Sequence, residues 1–341
     1  MIRPSLICIF DRLKDEFILI TPVRPKPGVT AEQAWNKGTK IIANAVNELN
    51  SGLDHSNLPV QKDFHQDNNA PSNLTKSEFY SSVEKAKEYI KSGDVYQVVL
   101  SQRFEIPFRK SSISFYRSLR RLNPSPFLFH FNFGDFYVVG SSPEILVRLR
   151  DNECTIRPIA GTRPRGINKI EDLKLKEELL NDPKERAEHL MLLDLGRNDV
   201  GRVSKPGTVE VTESFSVEMY SHVMHIESEV KGELRGELDS LDALIAGFPA
   251  GTVSGAPKIR AMQIIEELET ERRGIYSGAV GYFSASGDLD TCIALRTGII
   301  KDGKLYVQAG GGIVHDSTNE GEELETRNKA KALIRAAELA D

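Results

Sequence analysis

Two stretches of this sequence place carboxylates three residues apart where a helix is expected to begin. In Asp182-Pro183-Lys184-Glu185-Arg186-Ala187-Glu188-His189, Asp182 can cap and Pro183 suits the first helical position, so Glu185 and Glu188 share a face. In the run from Ser317 to Glu325, Ser317 can cap, and Glu322 and Glu325 share a face one turn before Lys329. Each pair alone fits ordinary helix electrostatics: the macrodipole favours acidic residues in a first turn, and Glu185 stands at the capping-box position. Brought together, the pairs would offer four oxygen donors, suited to a hard, partly hydrated cation such as magnesium.

Glycine-rich segments form a second group. Gly251-Thr252-Val253-Ser254-Gly255-Ala256-Pro257-Lys258 leads into a helix expected from Ile259 to Leu268, and such a loop presents free N–H groups to an anion. It is not a phosphate-binding loop, because the lysine does not directly follow the second glycine; a tight turn with Pro257 near the first helical position is the plain alternative. Gly310-Gly311-Gly312 follows a strand pattern and lets a backbone approach a ligand closely, or simply forms a bulge at a sheet rim. His222-x-x-His225 has no further His or Cys nearby, which argues against zinc. Cys154 and Cys292 lie inside strand patterns and read as core.

The elements that must position these residues follow from periodicity. Residues 1–60 read as two strands around a polar turn and a helix from Ala31 to Leu49. Residues 61–74 are polar and aperiodic, a linker, and 75–341 form the main domain. Thr75-x-x-Glu78 is a capping box opening a helix that Ser92-Gly93 closes. Strands are expected at VYQVVLSQRFEI, PFLFHFNFG, DFYVVGSS and EILVRLR, and a meander at GAVGYFSA, DTCIALRTGII and KLYVQAGGGIV. The pattern predicts an α+β fold, antiparallel sheets packed on each other with helices outside, and not a Rossmann domain.

Bulk composition agrees. The 341 residues are 40% hydrophobic, enough for a cooperative core, and 44 basic against 49 acidic side chains leave a charge of −5. That balance argues against nucleic-acid binding. No apolar run is long enough for a membrane span, the first residues lack a signal-peptide pattern, and three scattered cysteines fit a reducing cytoplasm.

From about Lys76 onward the motifs together resemble the chorismate-utilising enzymes, and within them the anthranilate synthase component I group. The resemblance is carried by VYQVVLSQRF (95–104), NPSPF (123–127), SSPE (141–144), RPIAGTRPRG (157–166), KERAEHLMLLDLGRNDVGRV (184–203), HVMHIES (222–228), FPAGTVSGAPK (248–258), RRGIYSGAVGYF (272–283) and QAGGGIV with ETRNKA (308–330). Residues 1–60 resemble only the end of that group's N-terminal region, so a large initial segment is expected to be missing. NPSPF, at Asn123 to Phe127, resembles one wall of the family's tryptophan pocket.

The resemblance implies a large antiparallel β-sandwich holding chorismate and Mg2+ in one cleft. It implies Glu188 and Glu325 as direct metal ligands, with Glu185 and Glu322 acting through water. Tyr276, Arg296 and the amides of Gly310, Gly311 and Gly312 match positions gripping the enolpyruvyl carboxylate; Gly161, Thr162, Thr252 and Lys329 line the ring side. Glu144 takes the general-acid position and His225 that of the histidine implicated in pyruvate elimination. Water-adding relatives carry a lysine where this chain has Gln97, and relatives making the 4-amino isomer carry a lysine where it has Ala160. The implied reaction is therefore addition of ammonia to chorismate, giving anthranilate and pyruvate for tryptophan biosynthesis. No activated Cys–His pair is apparent for glutamine hydrolysis, so ammonia is expected from a separate glutamine amidotransferase subunit. The alternatives are aminodeoxychorismate synthase component I and a catalytically silent fragment that only binds a partner.

Overall fold

Thr75 opens its helix as the sequence pattern requires: the Glu78 N–H donates to Thr75 Oγ1 at 3.2 Å, and the Thr75 N–H donates to Glu78 Oε2 at 2.8 Å. The computed structural model describes residues 1–51, 70–220 and 223–340. The chain divides into two units, Met1–Pro59 and Val60–Asp341. The first holds β1 (Ile7–Asp11) paired with β2 (Glu16–Ile20), and α1 (Ala31–Asn50), which carries its own Thr30–Gln33 capping box.

The second unit begins with α2 (Lys76–Lys91), β3 (Gln97–Pro107), α3 (Ser112–Leu122), β4 (Phe127–Asn132) and β5 (Phe136–Ser142). Next come β6 (Ile145–Arg150), β7 (Glu153–Ile156), β8 (Ile159–Pro164), α4 (Lys169–Asn181) and α5 (Pro183–Gly201). β9 (Glu210–Met219), β10 (Val223–Glu233), α6 (Ser240–Gly247), α7 (Gly251–Ser254), β11 (Gly255–Ala256) and α8 (Lys258–Leu268) follow. β12 (Ala279–Phe283), β13 (Leu289–Ile293), β14 (Thr297–Lys301), β15 (Lys304–Ile313) and α9 (Asn319–Glu338) complete it.

Every strand pairing described is antiparallel. One sheet runs β11-β3-β15-β14-β5-β4; the other runs β12-β13-β6-β7-β10-β8, with β9 also on β10. Helices α3 and α9 cover the first sheet through Phe104, Phe115, Leu119, Leu305 and Leu333. Helices α5 and α6 cover the second through Leu146, Val147, Leu193, Val200 and Ala243. Fully buried rings such as Phe79, Phe104 and Phe115 each contribute about 1.5–3 kcal/mol of apolar burial. Phe129 and Val138 of the first sheet meet Cys292 of the second, where the sheets touch. The expected α+β architecture of antiparallel sheets and flanking helices is the one observed.

Four local expectations are corrected. The C-terminal strands do not form one meander, because DTCIALRTGII breaks into β13 and β14 in different sheets, and Arg296 at the crossover has φ +46°. The cap of α9 is Thr318, whose Oγ1 accepts from the Gly321 N–H; Ser317 serves a carboxylate instead. The segment from Gly251 is a short helix and a two-residue strand, and Lys258 Nζ lies 2.8 Å from the nearly buried Asp199 carboxylate, which answers its charge internally. The expected linker lies largely outside the described residues, but its end belongs to the core: Ala70 is buried with Phe104, and Ser72 bridges to Phe104.

Candidate active site

Helix α5 begins as the sequence suggested, with Pro183 in its first turn and Asp182 Oδ1 accepting from the Lys184 and Glu185 N–H groups at 2.9 and 3.2 Å. Glu185 does not close a capping box. Arg163 of β8 binds it at 3.1 Å and also binds Asp182 at 2.8 Å. One turn later, Glu188 Oε1 accepts from Gln97 Nε2 at 2.9 Å. Gln97 is buried in β3, so its amide is fixed on this carboxylate. Burial, with repulsion from Glu185 and Glu325, raises the Glu188 pKa.

Helix α9 supplies the second pair. Ser317 Oγ donates to Glu322 Oε1 at 2.6 Å, and Lys329 Nζ binds Glu325 Oε1 at 2.7 Å and the Gly310 carbonyl at 3.0 Å. The other oxygen of Glu322 is buried without a partner among the described residues. A Cβ on Gly311 would stand 2.6 Å from that oxygen and 3.7 Å from Glu325 Oε1, so it is the bare backbone here that lets the Glu322 carboxylate lie against β15. Burial pushes the Glu322 pKa up to about 7. Each of the four carboxylates thus keeps one oxygen on a protein donor.

The glycine run is equally constrained on its neighbours. A Cβ on Gly310 would lie 2.8 Å from the Tyr276 hydroxyl, and one on Gly312 would lie 2.4 Å from Gln97 Nε2. The strand therefore approaches Tyr276 and Gln97 with its bare backbone.

Two further groups, around Glu144 and His225, carry side chains able to exchange protons. Glu144 is buried at the end of β5, and Thr252 Oγ1 of α7 donates to its Oε1 at 2.7 Å. Burial pushes the Glu144 pKa up to about 8, against the opposing pull of Thr252, Lys329 and Arg296. Burial thus favours its protonated form. His225 of β10 places Nδ1 2.8 Å from the Gly161 carbonyl and 3.1 Å from Thr162 Oγ1. Because a carbonyl only accepts, Nδ1 carries the proton and Nε2 is left as the basic nitrogen. Burial lowers the His225 pKa, which keeps the ring neutral. Gly161, at φ +67°, turns β8 past Glu185, whose Oε2 would lie 3.1 Å from an added Cβ. Arg296 donates to Asn123 Oδ1 at 3.3 Å, and burial lowers its pKa.

The contacts gather the sixteen residues singled out from the sequence into small groups: Gln97 with Glu188, Glu322 and Glu325 with Lys329 and the glycine run beside Tyr276, Glu144 with Thr252, His225 with Gly161 and Thr162, Glu185 on Arg163, and Arg296 on Asn123. His222 lies outside the described residues. Sequence reasoning missed Arg163, which orients Glu185, and Ser317 as a donor to Glu322. It also missed Asn123 beneath Arg296. None of the three has a local signal: each partner is distant in sequence or mistaken for a cap.

Among the described residues no three His, Cys, Asp or Glu side chains are grouped closely enough to hold a metal ion as they stand. The donor set nonetheless suits magnesium: hard carboxylate oxygens, one of them buried and partnerless among the described residues, lying against the bare backbone of Gly311.

Two antiparallel sheets with helices outside, carrying buried carboxylates and a buried histidine, define the class: an α+β enzyme. The model of the chorismate binding enzymes matches residues 7–335, and the chain belongs to that family. Anthranilate synthase component 1 of Cereibacter sphaeroides is 55% identical over all of this chain and 68% of its own length. The Aquifex aeolicus protein of the same name is 52% identical over the same shares. Among solved structures, anthranilate synthase component I from Streptococcus pneumoniae superposes with a TM-score of 0.84, at 43% identity over 96% of this chain and 72% of that one. The menaquinone-specific isochorismate synthase of Escherichia coli reaches 0.76 at 26% identity, over 90% of this chain and 68% of that one.

Proposed function

We propose that this chain carries out the component I reaction of anthranilate synthase: chorismate and ammonia become anthranilate, pyruvate and water, as a magnesium-dependent lyase of the cytoplasm. The names of its relatives at 52–55% identity support this. The observation that carries it is Glu144, a buried carboxyl held protonated near neutral pH and aligned by Thr252. Departure of the ring hydroxyl at C4 needs such an acid. Glu144 gives its proton to that hydroxyl, which leaves as water, and the proton lost by the added nitrogen restores the balance. His225 Nε2 then takes the proton from C2, and elimination passes a proton to the enolpyruvyl carbon, which leaves as pyruvate.

Arg296, Tyr276 and the Gly310–Gly312 amides hold the enolpyruvyl carboxylate. Glu188 and Glu325 would hold the magnesium ion, with Glu185 and Glu322 beside them. That ion, when bound, supplies charge neutralisation at the ring carboxylate. Gln97 is bonded to Glu188 and has no basic nitrogen, so it cannot activate water. Ala160, buried in β8, offers no amine for a covalent route to the 4-amino isomer. Ammonia comes from a separate glutamine amidotransferase subunit. The test is fluorescence of anthranilate from chorismate and an ammonium salt, with and without magnesium: a signal abolished by chelation supports the reading, and none under any condition overturns it.

A further inference from the structure

Arg273, between α8 and β12, uses all five of its N–H donors inside the protein. Its Nε and one terminal nitrogen bind Glu269 at 2.9 and 2.7 Å. The same terminal nitrogen donates to the Val99 carbonyl at 2.6 Å. The other donates to the Val253 carbonyl at 2.6 Å and to Ser277 Oγ at 3.3 Å. The guanidinium carbon also lies 5.5 Å from the centre of the Tyr276 ring.

The partners matter for where they stand. Val253 follows Thr252, the donor to Glu144, and Ser277 follows Tyr276. Val99 faces Gly312 across the β3–β15 ladder. Glu269 Oε1 accepts in turn from the N–H and Oγ of Ser101 at 2.8 Å each, and Ser101 faces Gly310. One nearly buried ion pair therefore touches the neighbours of the acid's partner, of the carboxylate-gripping tyrosine and of both ends of the glycine run.

We propose that Arg273, braced by Glu269, is a positioning residue that sets α7, the Tyr276 turn and the β3–β15 ladder in mutual register for substrate. The inference rests on the chorismate-site reading above. Its chemistry demands arginine: four acceptor groups in fork geometry exceed what the three donors of a lysine ammonium can span.

The test compares wild type, Arg273→Lys, Tyr276→Phe and the double variant by steady-state kinetics, with melting curves as a check on folding. Arg273→Lys is expected to raise KM for chorismate about tenfold or more, within the 10²-fold that a misplacement of about 1 Å can cost. The KM for ammonia stays unchanged. In the Tyr276→Phe background the same substitution is expected to lose clearly less, because its effect passes partly through the placement of the Tyr276 hydroxyl. Should Arg273→Lys fail to fold, Glu269→Gln, which breaks the two-point brace, is put through the same cycle with the same expectation. An unchanged KM for chorismate, or losses that simply multiply, overturns the proposal. Absence of anthranilate from the wild type would instead overturn the reading of the site, so the two failures are distinguishable.

Discussion

Replacing Thr252 by valine keeps the side-chain shape and removes the single hydroxyl that donates to Glu144. That bond, 2.7 Å in a buried setting, favours the carboxylate and so opposes the upward push of burial on the Glu144 pKa. A hydrogen bond to a charged group contributes about 1.5–3 kcal/mol, and about 1.4 kcal/mol moves a pKa by one unit. If about half of the bond's strength survives when Glu144 is protonated, the loss raises the pKa by roughly one unit. On the proposed reading Glu144 is an acid active below its pKa, so kcat/KM for chorismate should fall as pH rises through about 8. Thr252→Val should lower the maximum rate yet move that basic limb upward, to roughly pH 9 by the same arithmetic. The assay is kcat/KM against pH at fixed free ammonia and saturating magnesium. A limb that stays in place or moves down refutes the assignment of Glu144 as the acid titrating there.

Magnesium should raise the melting temperature of the wild type, and Glu188→Gln and Glu325→Gln should each abolish both turnover and that rise, while the metal-free fold melts as before; no rise in the wild type, or retained stabilisation by magnesium in both variants, would remove the four-carboxylate site. Ala160→Lys puts an amine into a buried strand position packed for a methyl, at a cost of about 1–3 kcal/mol. Most anthranilate formation should be lost, with any new product on chromatography being the 4-amino isomer or a trapped adduct; undiminished anthranilate formation would show that this position does not border the ring.

Much of this arrangement is local and therefore legible in sequence. Thr75 with Glu78, and Asp182 with Pro183, start their helices through contacts within four residues. The turn at Lys301-Asp302-Gly303, with Asp302 and Gly303 both at positive φ, depends on neighbours alone. What periodicity could not supply is the change of sheet between β13 and β14, because DTCIALRTGII reads as one continuous strand pattern and Arg296's left-handed backbone divides it. The same limit explains the site. Carboxylates at helical spacing were visible as pairs, but joining Glu188 to Gln97 and Glu322 to Gly311 needs residues about ninety and eleven positions apart to meet. The resemblance supplied that grouping; spacing did not. It also offered no role for Arg273, whose hydrogen bonds to the Val253 and Val99 carbonyls join segments distant in sequence.

The central claim is that nitrogen enters chorismate at C2 and the ring becomes aromatic in this cleft. Incubation with chorismate, magnesium and ¹⁵N-labelled ammonium, followed by NMR of the product and enzymatic measurement of pyruvate, tests it directly. The account predicts an aromatic ring with labelled nitrogen ortho to the carboxylate, and pyruvate released in equal amount. Label at C4 on a ring that still carries its enolpyruvyl group, or an unlabelled hydroxylated product, would contradict it.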